Sequence, residues 1–167
     1  MKAGCSDTAV YRIFSQHREL EVDLAGIVNN ARRYFEASVE VVESSRPEPG
    51  SGSIRSARLE LRNEPRSFRG CFTVTARAAT EHDYQTAEVA EARGRAAGMG
   101  ALARRCPTIW DLEPDPGTPE PATLNLCALL AATALGPVLP PDTSTLLGVR
   151  SAMLRVEELL GIEPLKT

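Results

Sequence analysis

The densest group of proton-handling side chains in this 167-residue chain is Glu81-His82-Asp83-Tyr84. A carboxylate beside a histidine can orient the imidazole ring for general base catalysis. The group also begins directly after Thr80, and a Thr followed three residues later by an acidic residue is typical of a capping box at a helix start. Because adjacent residues on a helix point in different directions, we favour the capping interpretation and keep catalysis as the alternative.

A second candidate is the glycine-rich segment Arg95-Ala96-Ala97-Gly98-Met99-Gly100. It resembles the R/Q-x-x-G-x-G/A loop with which acetyltransferases of the GNAT family hold the pyrophosphate of coenzyme A. The resemblance implies that Arg95, Gly98 and Gly100 bind that cofactor, since glycine-rich amides at a helix start can cradle phosphate. In that family the loop joins a strand to a helix, whereas residues 88–93 here have a helical pattern. We therefore favour close helix packing through the glycines and expect no bound cofactor.

A third candidate, Arg69-Gly70-Cys71-Phe72-Thr73-Val74, resembles in part the RNA-contact motif on the third strand of the RRM domain. The positions that stack bases in that family are Cys71 and Thr73 here, and Phe72 is expected to point the opposite way. Without stacking aromatic side chains, the main sequence-tolerant contribution to RNA binding is missing. Several arginines still make this region basic, namely Arg55, Arg58, Arg62, Arg66, Arg69 and Arg77. We interpret them as a solvated strand face and keep an RNA-binding module as a weaker alternative.

Trp110 is the single tryptophan, and it borders an acidic, proline-rich loop at residues 115–121. We expect it to fill the core, and lining a ligand cleft is the alternative. The cysteines are far apart, without a CxxC pair, and the chain has only two histidines, so we expect no metal site. Scattered thiols are typical of a reducing compartment, which predicts a cytoplasmic protein. The four cysteines are Cys5, Cys71, Cys106 and Cys127.

The composition is that of a soluble globular protein, with 43% hydrophobic and 25% charged residues. A net charge of −3 gives no overall basic field that would attract nucleic acid or anionic lipid. The first residues contain no apolar run of the kind that a signal peptide needs. No stretch approaches the roughly 18 apolar residues of a membrane span. We therefore expect no membrane partner.

The hydrophobic pattern predicts the elements that must position these residues. Thr8–Gln16 is aromatic and β-branched and is predicted to be a strand. One apolar stripe with a period near 3.6 predicts a helix over Glu19–Ser44, although Ser38–Val42 can instead form a strand. A linker rich in Pro and Gly follows at Ser44–Ser53. Alternating residues then predict a hairpin whose second arm is Phe68–Ala78.

A helix that begins after Thr80 is predicted to run to about Arg105, and a short strand follows at Thr108–Glu113. The resulting order of strand, helix, strand, strand, helix and strand predicts a ferredoxin-like α+β fold, with two helices on one face of an antiparallel sheet. We assign residues 1–113 to this core and residues 114–167 to a C-terminal helical extension.

The extension is predicted to contain two helices. Ala122–Leu135 is apolar almost all round and should be buried on more than one side, and a last helix is expected to begin at Asp142 or Thr143. Leaving several Leu side chains in water is unfavourable, so we predict a homodimer. Its two-fold contact would use Leu126 and Leu130, or the open face of the sheet. The alternative is that the extension folds back onto its own sheet.

Taken together, these patterns favour a non-enzymatic binding or accessory protein that acts through an oligomer or a protein partner. The alternative from another class is a coenzyme A-dependent acyltransferase that uses Gly98 and Gly100. A small-molecule ligand stays possible under either interpretation.

Overall fold

The computed structural model describes residues 9–45 and 54–161, so Cys5 and most of the expected linker lie outside the described residues. The described chain forms six strands and five helices. In chain order they are β1 (Tyr11–Ser15), α1 (Leu24–Tyr34), β2 (Ser38–Ser45), β3 (Ser56–Asn63), β4 (Phe68–Ala78), α2 (Glu81–Gly94), α3 (Met99–Arg104), β5 (Thr108–Pro114), α4 (Glu120–Ala134), β6 (Val138–Leu139) and α5 (Val149–Leu159).

All six strands belong to one antiparallel sheet with the order β2-β3-β4-β5-β1-β6. The expectation of an antiparallel α+β fold is confirmed, but the ferredoxin-like strand order is not. In that order β1 would lie between β4 and β5. Here β5 pairs with β4 over seven residues, from Phe72 opposite Pro114 to Ala78 opposite Thr108, and β1 pairs with the other side of β5. The strand β5 therefore occupies the position next to β4 that the ferredoxin-like order would give to β1.

The long helix expected over residues 19–44 is two elements instead. The helix α1 ends at Tyr34, Glu36 adopts a left-handed backbone with φ of 49°, and the N–H of Ala37 donates to the carbonyl of Ala31 at 3.1 Å. The rest of the segment is β2, which pairs with β3. Val39 and Val42 have the three-residue spacing of a helix, but the valines at 39, 41 and 42 are β-branched and favour a strand. The strand alternative for residues 38–42 was the right one.

The larger hydrophobic core lies on one face of the sheet, between the strands and α1, α4 and α5. Every second residue of β3 and β4 points into it, as the alternating sequence pattern predicts. The helix α4 is buried along nearly its whole length and lies against β1 and β4, with α1 and α5 beside it. The strand residues in this larger core include Ile13, Leu59, Leu61, Phe72, Val74, Trp110 and Leu112.

A second, smaller core lies on the opposite face, under α2 and α3. Phe14 and Ile109 pack there with Ala87, Ala90 and Ala103, and each of these two strand residues is adjacent in the chain to a residue of the larger core, Ile13 or Trp110. Helices therefore cover both faces of the sheet, which corrects the expectation that they lie on one. The second core contains no residue of β2, β3 or β4. Within the described part of the chain, that half of the face is left without a helix over it.

Two further helix boundaries differ from the expected ones. The helix expected to run to Arg105 is broken after Gly94, because Arg95 and Gly98 adopt left-handed backbones with φ of 53° and 88°. The last helix begins at Val149 rather than after Asp142, since Leu147 first forms an antiparallel bridge with Val138. The Thr80 cap is confirmed: its side chain and that of Asp83 form the reciprocal capping box.

Candidate functional site

The four predicted proton-handling residues start α2, and their side chains go to different partners. Asp83 is buried, while Glu81 lies on the surface and accepts from Arg104 at 3.0 Å. The Tyr84 hydroxyl donates to the backbone carbonyl of Cys106 at 2.7 Å. His82 is exposed, and its side chain forms no hydrogen bond with the other three described side chains. The structure therefore separates these side chains, as expected for consecutive positions on a helix.

Asp83 is instead the centre of a charge network that the sequence did not indicate. Arg77 at the end of β4 donates to both carboxylate oxygens of Asp83, at 2.8 and 2.9 Å. It also donates from Nε to Asp111 on β5 at 2.7 Å. On the far side, Arg12 Nη1 from β1 lies 3.3 Å from Asp83 Oδ1. Two guanidinium groups and two carboxylates thus meet at the start of α2, and their formal charges cancel.

The strand register explains why these residues meet. Arg12 and Asp111 are partners across the β1–β5 ladder, and Thr75, two residues before Arg77, is opposite Asp111 across the β4–β5 ladder. All three charged side chains project from the same face, and the Thr80 cap places Asp83 above them. Asp83 was found from its capping position alone. Arg12, Arg77 and Asp111 are far apart in sequence, and only knowledge of the strand order would have joined them.

The contacts of this network set the ionisation of Asp83. Its burial alone would raise the pKa, but hydrogen bonds from Arg77 and from the amide and hydroxyl of Thr80 outweigh that effect and lower the pKa from 3.8 to about 2. The hydrogen bonds to Asp83 and then Asp111 raise the pKa of Arg77 in turn. Asp83 and Arg77 are therefore both charged at neutral pH.

Beside this network is an open cleft of about 540 Å³. Arg12, Arg77 and Asp111 form its charged floor. Its remaining lining comes from the chain before β1 and from β6 and the loop after it, and consists of Ala9, Val10, Leu139, Pro140, Pro141 and Thr143. Charged and apolar surfaces side by side are typical of small-molecule sites.

The glycine-rich candidate forms the turn between α2 and α3. Gly98 needs its left-handed backbone there, and a Cβ at Gly98 would meet no other atom within 4 Å. The amide N–H of Gly100 donates to the Glu91 carboxylate at 2.6 Å. This chain's own carboxylate therefore binds one of the amides that a phosphate would need. Arg95 is exposed at the end of α2.

Trp110 lies entirely within the larger core, where its indole N–H donates to the carbonyl of Glu21 at 3.0 Å. The ring of His17 lies over it, with 5.7 Å between ring centroids. Leu126 and Leu130 on α4 are also fully buried within this single chain. Neither leucine presents a surface to a second copy, which leaves the open face of the sheet as the other surface named for a two-fold contact.

The uncovered half of the sheet carries a polar face, which we call the open sheet face: Ser38, Glu40 and Glu43 of β2, Ser56, Arg58, Glu60 and Arg62 of β3, and Arg69, Cys71, Thr73 and Thr75 of β4. As expected, Phe72 is on the opposite face, in the core. Arg62 pairs with Glu60 at 2.8 Å, and Arg58 donates to both oxygens of Asp115. These contacts reduce the positive charge available to RNA.

The other possible sites were compared in the same way. Among the described residues, no three or more His, Cys, Asp or Glu side chains lie together in a manner that could bind a metal ion. None of the helices in that part of the chain has the length and apolar character required to cross a bilayer. Comparison of the chain with protein-family models, with curated proteins and with solved structures returned no match.

Proposed function

We propose that this chain is a non-enzymatic binding protein that forms a homodimer through its open sheet face. The main support is the arrangement of charge on that face. The β2–β3 ladder puts Glu40 opposite Glu60, and the β3–β4 ladder puts Arg62 opposite Arg69. An acidic row and a basic row therefore lie side by side, two residues apart along β3.

Each row is electrostatically unfavourable by itself, because like charges directly opposite each other destabilise an antiparallel pair. Within the chain this is offset in part by the ion pair between Arg62 and Glu60. Glu40 and Arg69 are exposed at the two ends of these rows. A second copy related by a two-fold axis would bring Arg69 of one chain to Glu40 of the other, twice per dimer.

The edge strand adds apolar area next to these charges. Within the described chain β2 pairs with β3 only, so its outer edge has no neighbouring strand. Val41 and Val42 are 39% and 59% exposed there, and Tyr34 at the end of α1 is 67% exposed. Exposed apolar residues on an edge strand favour association. Val41 lies opposite Leu59, on the side of the sheet that carries the larger core, so this apolar edge borders the open sheet face rather than belonging to it.

The non-enzymatic part of the proposal is supported by the contacts of the candidate catalytic groups. Asp83 caps α2 and binds Arg77, while Glu81 and Tyr84 are engaged with Arg104 and with the Cys106 carbonyl. A cytoplasmic location is part of the same proposal. It rests on the thiol pattern and on the burial of Cys106 and Cys127.

Charge reversal tests the dimer. Sedimentation at tens of micromolar should give twice the monomer mass for the native chain, and monomers for the Glu40→Arg and Arg69→Glu variants, since each creates like-charge contacts across the two-fold axis. Mixing the two variants should restore the dimer, because every contact in the mixed pair joins opposite charges.

The matched control is the pair Glu158→Arg and Arg150→Glu, two exposed positions on α5 away from this face. Both should remain dimeric. A native chain that sediments as a monomer would contradict the proposal. Single variants that stay dimeric would place the contact elsewhere and would equally overturn it.

A further inference from the structure

The cleft beside Asp83 contains charged side chains whose hydrogen-bonding groups are not all used within the charge network. Asp83 itself is saturated, because its two oxygens accept from Arg77, from the Thr80 amide at 2.8 Å and from the Thr80 hydroxyl at 3.0 Å. Arg77 donates to Asp83, to Asp111 and to the carbonyl of Ala78. These two residues are therefore held by their partners within the chain and have little capacity for another molecule.

Arg12 and Asp111 are different, because each is only partly satisfied. The side chain of Arg12 is 29% exposed; its one ionic contact in the described chain, from the buried Nη1 to Asp83 Oδ1 at 3.3 Å, is not a hydrogen bond, and the exposed part of the side chain remains available to an acceptor in the cleft. The side chain of Asp111 is 27% exposed, and only Arg77 donates to it in the described chain. A carboxylate offers about four lone-pair sites, so acceptor capacity remains.

The spacing of these two groups points to a ligand that joins them. They are direct partners across the β1–β5 ladder and project from one face, yet among the described side chains they form no ion pair within 4.0 Å. Leu139, Pro140 and Pro141 form an apolar wall beside them. The cleft thus presents a cation, an anion and an apolar surface within the reach of one small molecule.

We propose that this cleft binds a small zwitterion of the α-amino acid class with an apolar side chain. The carboxylate of the ligand binds Arg12, its ammonium group binds Asp111, and its side chain packs on Pro140 and Pro141. Asp111 is the cross-strand partner of Thr75, so this site adjoins the open sheet face, but its proposed chemistry does not depend on the dimer.

Charge balance favours a zwitterion over a simple anion. The formal charges of Arg12, Arg77, Asp83 and Asp111 already cancel, so an anion would add an unpaired charge next to Asp111. Partly buried charges are stable only when they are paired and hydrogen-bonded. A ligand with both charges gives Arg12 an acceptor and Asp111 a donor and leaves the cluster neutral.

Isothermal titration calorimetry with three related probes tests this proposal. L-Leucine carries both charges, N-acetyl-leucine has no ammonium group, and leucinamide has no carboxylate. We expect leucine to bind at least about tenfold more tightly than either analogue, because each analogue leaves one charged group of the cleft unpaired. No heat of binding with millimolar leucine would overturn the proposal, and so would equal affinity for N-acetyl-leucine.

Two variants locate the binding site. Arg12→Gln should weaken leucine binding by about tenfold or more, whereas Arg150→Gln on α5 should leave it unchanged. Because Arg12 also lies near Asp83, circular dichroism must show that the variant is folded. Pro141→Glu changes an exposed wall residue without touching the network and should also weaken binding, by obstructing the apolar surface. Unchanged leucine affinity in a folded Arg12→Gln variant or in Pro141→Glu would contradict this site.

Discussion

The guanidinium of Arg77 and the carboxylate of Asp83 are joined by two parallel hydrogen bonds, 2.8 Å from Nη1 to Oδ2 and 2.9 Å from Nη2 to Oδ1. The pair links the end of β4 to the first turn of α2, two elements that are consecutive in the chain and lie at an angle to each other. Bidentate pairing of this kind fixes geometry as well as charge. The position of α2 over β1 and β5 therefore depends on Asp83.

Replacing Asp83 with Asn should destabilise the fold strongly. The variant keeps a similar shape but removes the negative charge opposite Arg77, and the lowered pKa of Asp83 puts the loss of unfolding free energy on the order of 2 kcal/mol. Urea unfolding followed by circular dichroism measures this loss. Glu81→Gln is the matched control, because its ion pair with Arg104 is exposed and is worth less than about 1 kcal/mol. Equal losses in the two variants would show that the Arg77 pair does not stabilise α2.

Acid should weaken the fold through the same carboxylate. The pKa of Asp83 is about 2 in the folded chain and 3.8 without its partners, so the folded state binds a proton less readily than the unfolded state. Its contribution, on the order of 2 kcal/mol, is fully present above pH 4 and is lost as the pH falls through 4 towards 2. Unfolding free energies measured across this range should fall more steeply for the native chain than for Asp83→Asn. If the two proteins lost unfolding free energy in parallel as the pH fell, this pH dependence could not be assigned to Asp83.

Local patterns in the sequence predicted local structure well. The Thr80–Asp83 capping box and the β3–β4 hairpin are confirmed, and Phe72 points away from Cys71 and Thr73 as the alternation required. These features depend only on residues a few positions apart. The helix expected over 19–44 was wrong beyond residue 34 because valines spaced by three fit a helical stripe, while strand pairing with β3 decided the outcome.

Long-range relationships could not be obtained in the same way. The sequence gives no signal that β5 pairs with both β4 and β1, and the meeting of Arg12, Arg77 and Asp111 follows from that pairing. The burial of α4 was expected, and the alternative in which the extension folds back onto its own sheet is the one observed: α1, α5 and the sheet of the same chain surround α4. The division at residue 113, the homodimer and the cytoplasmic location stay predictions.

The turn between α2 and α3 should tolerate only glycine at its left-handed position. Gly98→Ala places a Cβ on a backbone with φ of 88°, and we expect a loss of about 1–2 kcal/mol although no neighbouring atom is in contact. Gly98→Asn should lose less, since Asn adopts this conformation more readily.

Millimolar acetyl-CoA should leave the melting temperature of the native chain unchanged, because Glu91 already binds the Gly100 amide. A marked rise would restore the acyltransferase interpretation.

Thiol labelling should distinguish the described cysteines by burial. Burial raises the pKa of Cys106 to about 11 and raises that of Cys127 further, so both stay protonated and inaccessible at neutral pH. Cys71 lies on the open sheet face and is partly exposed. In a Cys5→Ser background, a thiol reagent should modify Cys71 under native conditions and the other two only after unfolding. Rapid native labelling of Cys127 would be inconsistent with its position on α4.

Substitutions on α4 separate a core helix from an interface helix. Leu126 and Leu130 are fully buried in the single chain, whereas Leu135 at the end of the helix is 60% exposed. Leu130→Ala should therefore cost about 2–5 kcal/mol of unfolding free energy through lost burial and a residual cavity. Leu135→Ala, the matched control, should change stability by less than about 0.5 kcal/mol.

Leu126→Glu buries an unpaired carboxylate and should give insoluble or unfolded chain. Recovery of a folded, monomeric Leu126→Glu protein would show that this side chain faces a second copy, and that the enclosure of α4 by α1, α5 and the sheet is incomplete.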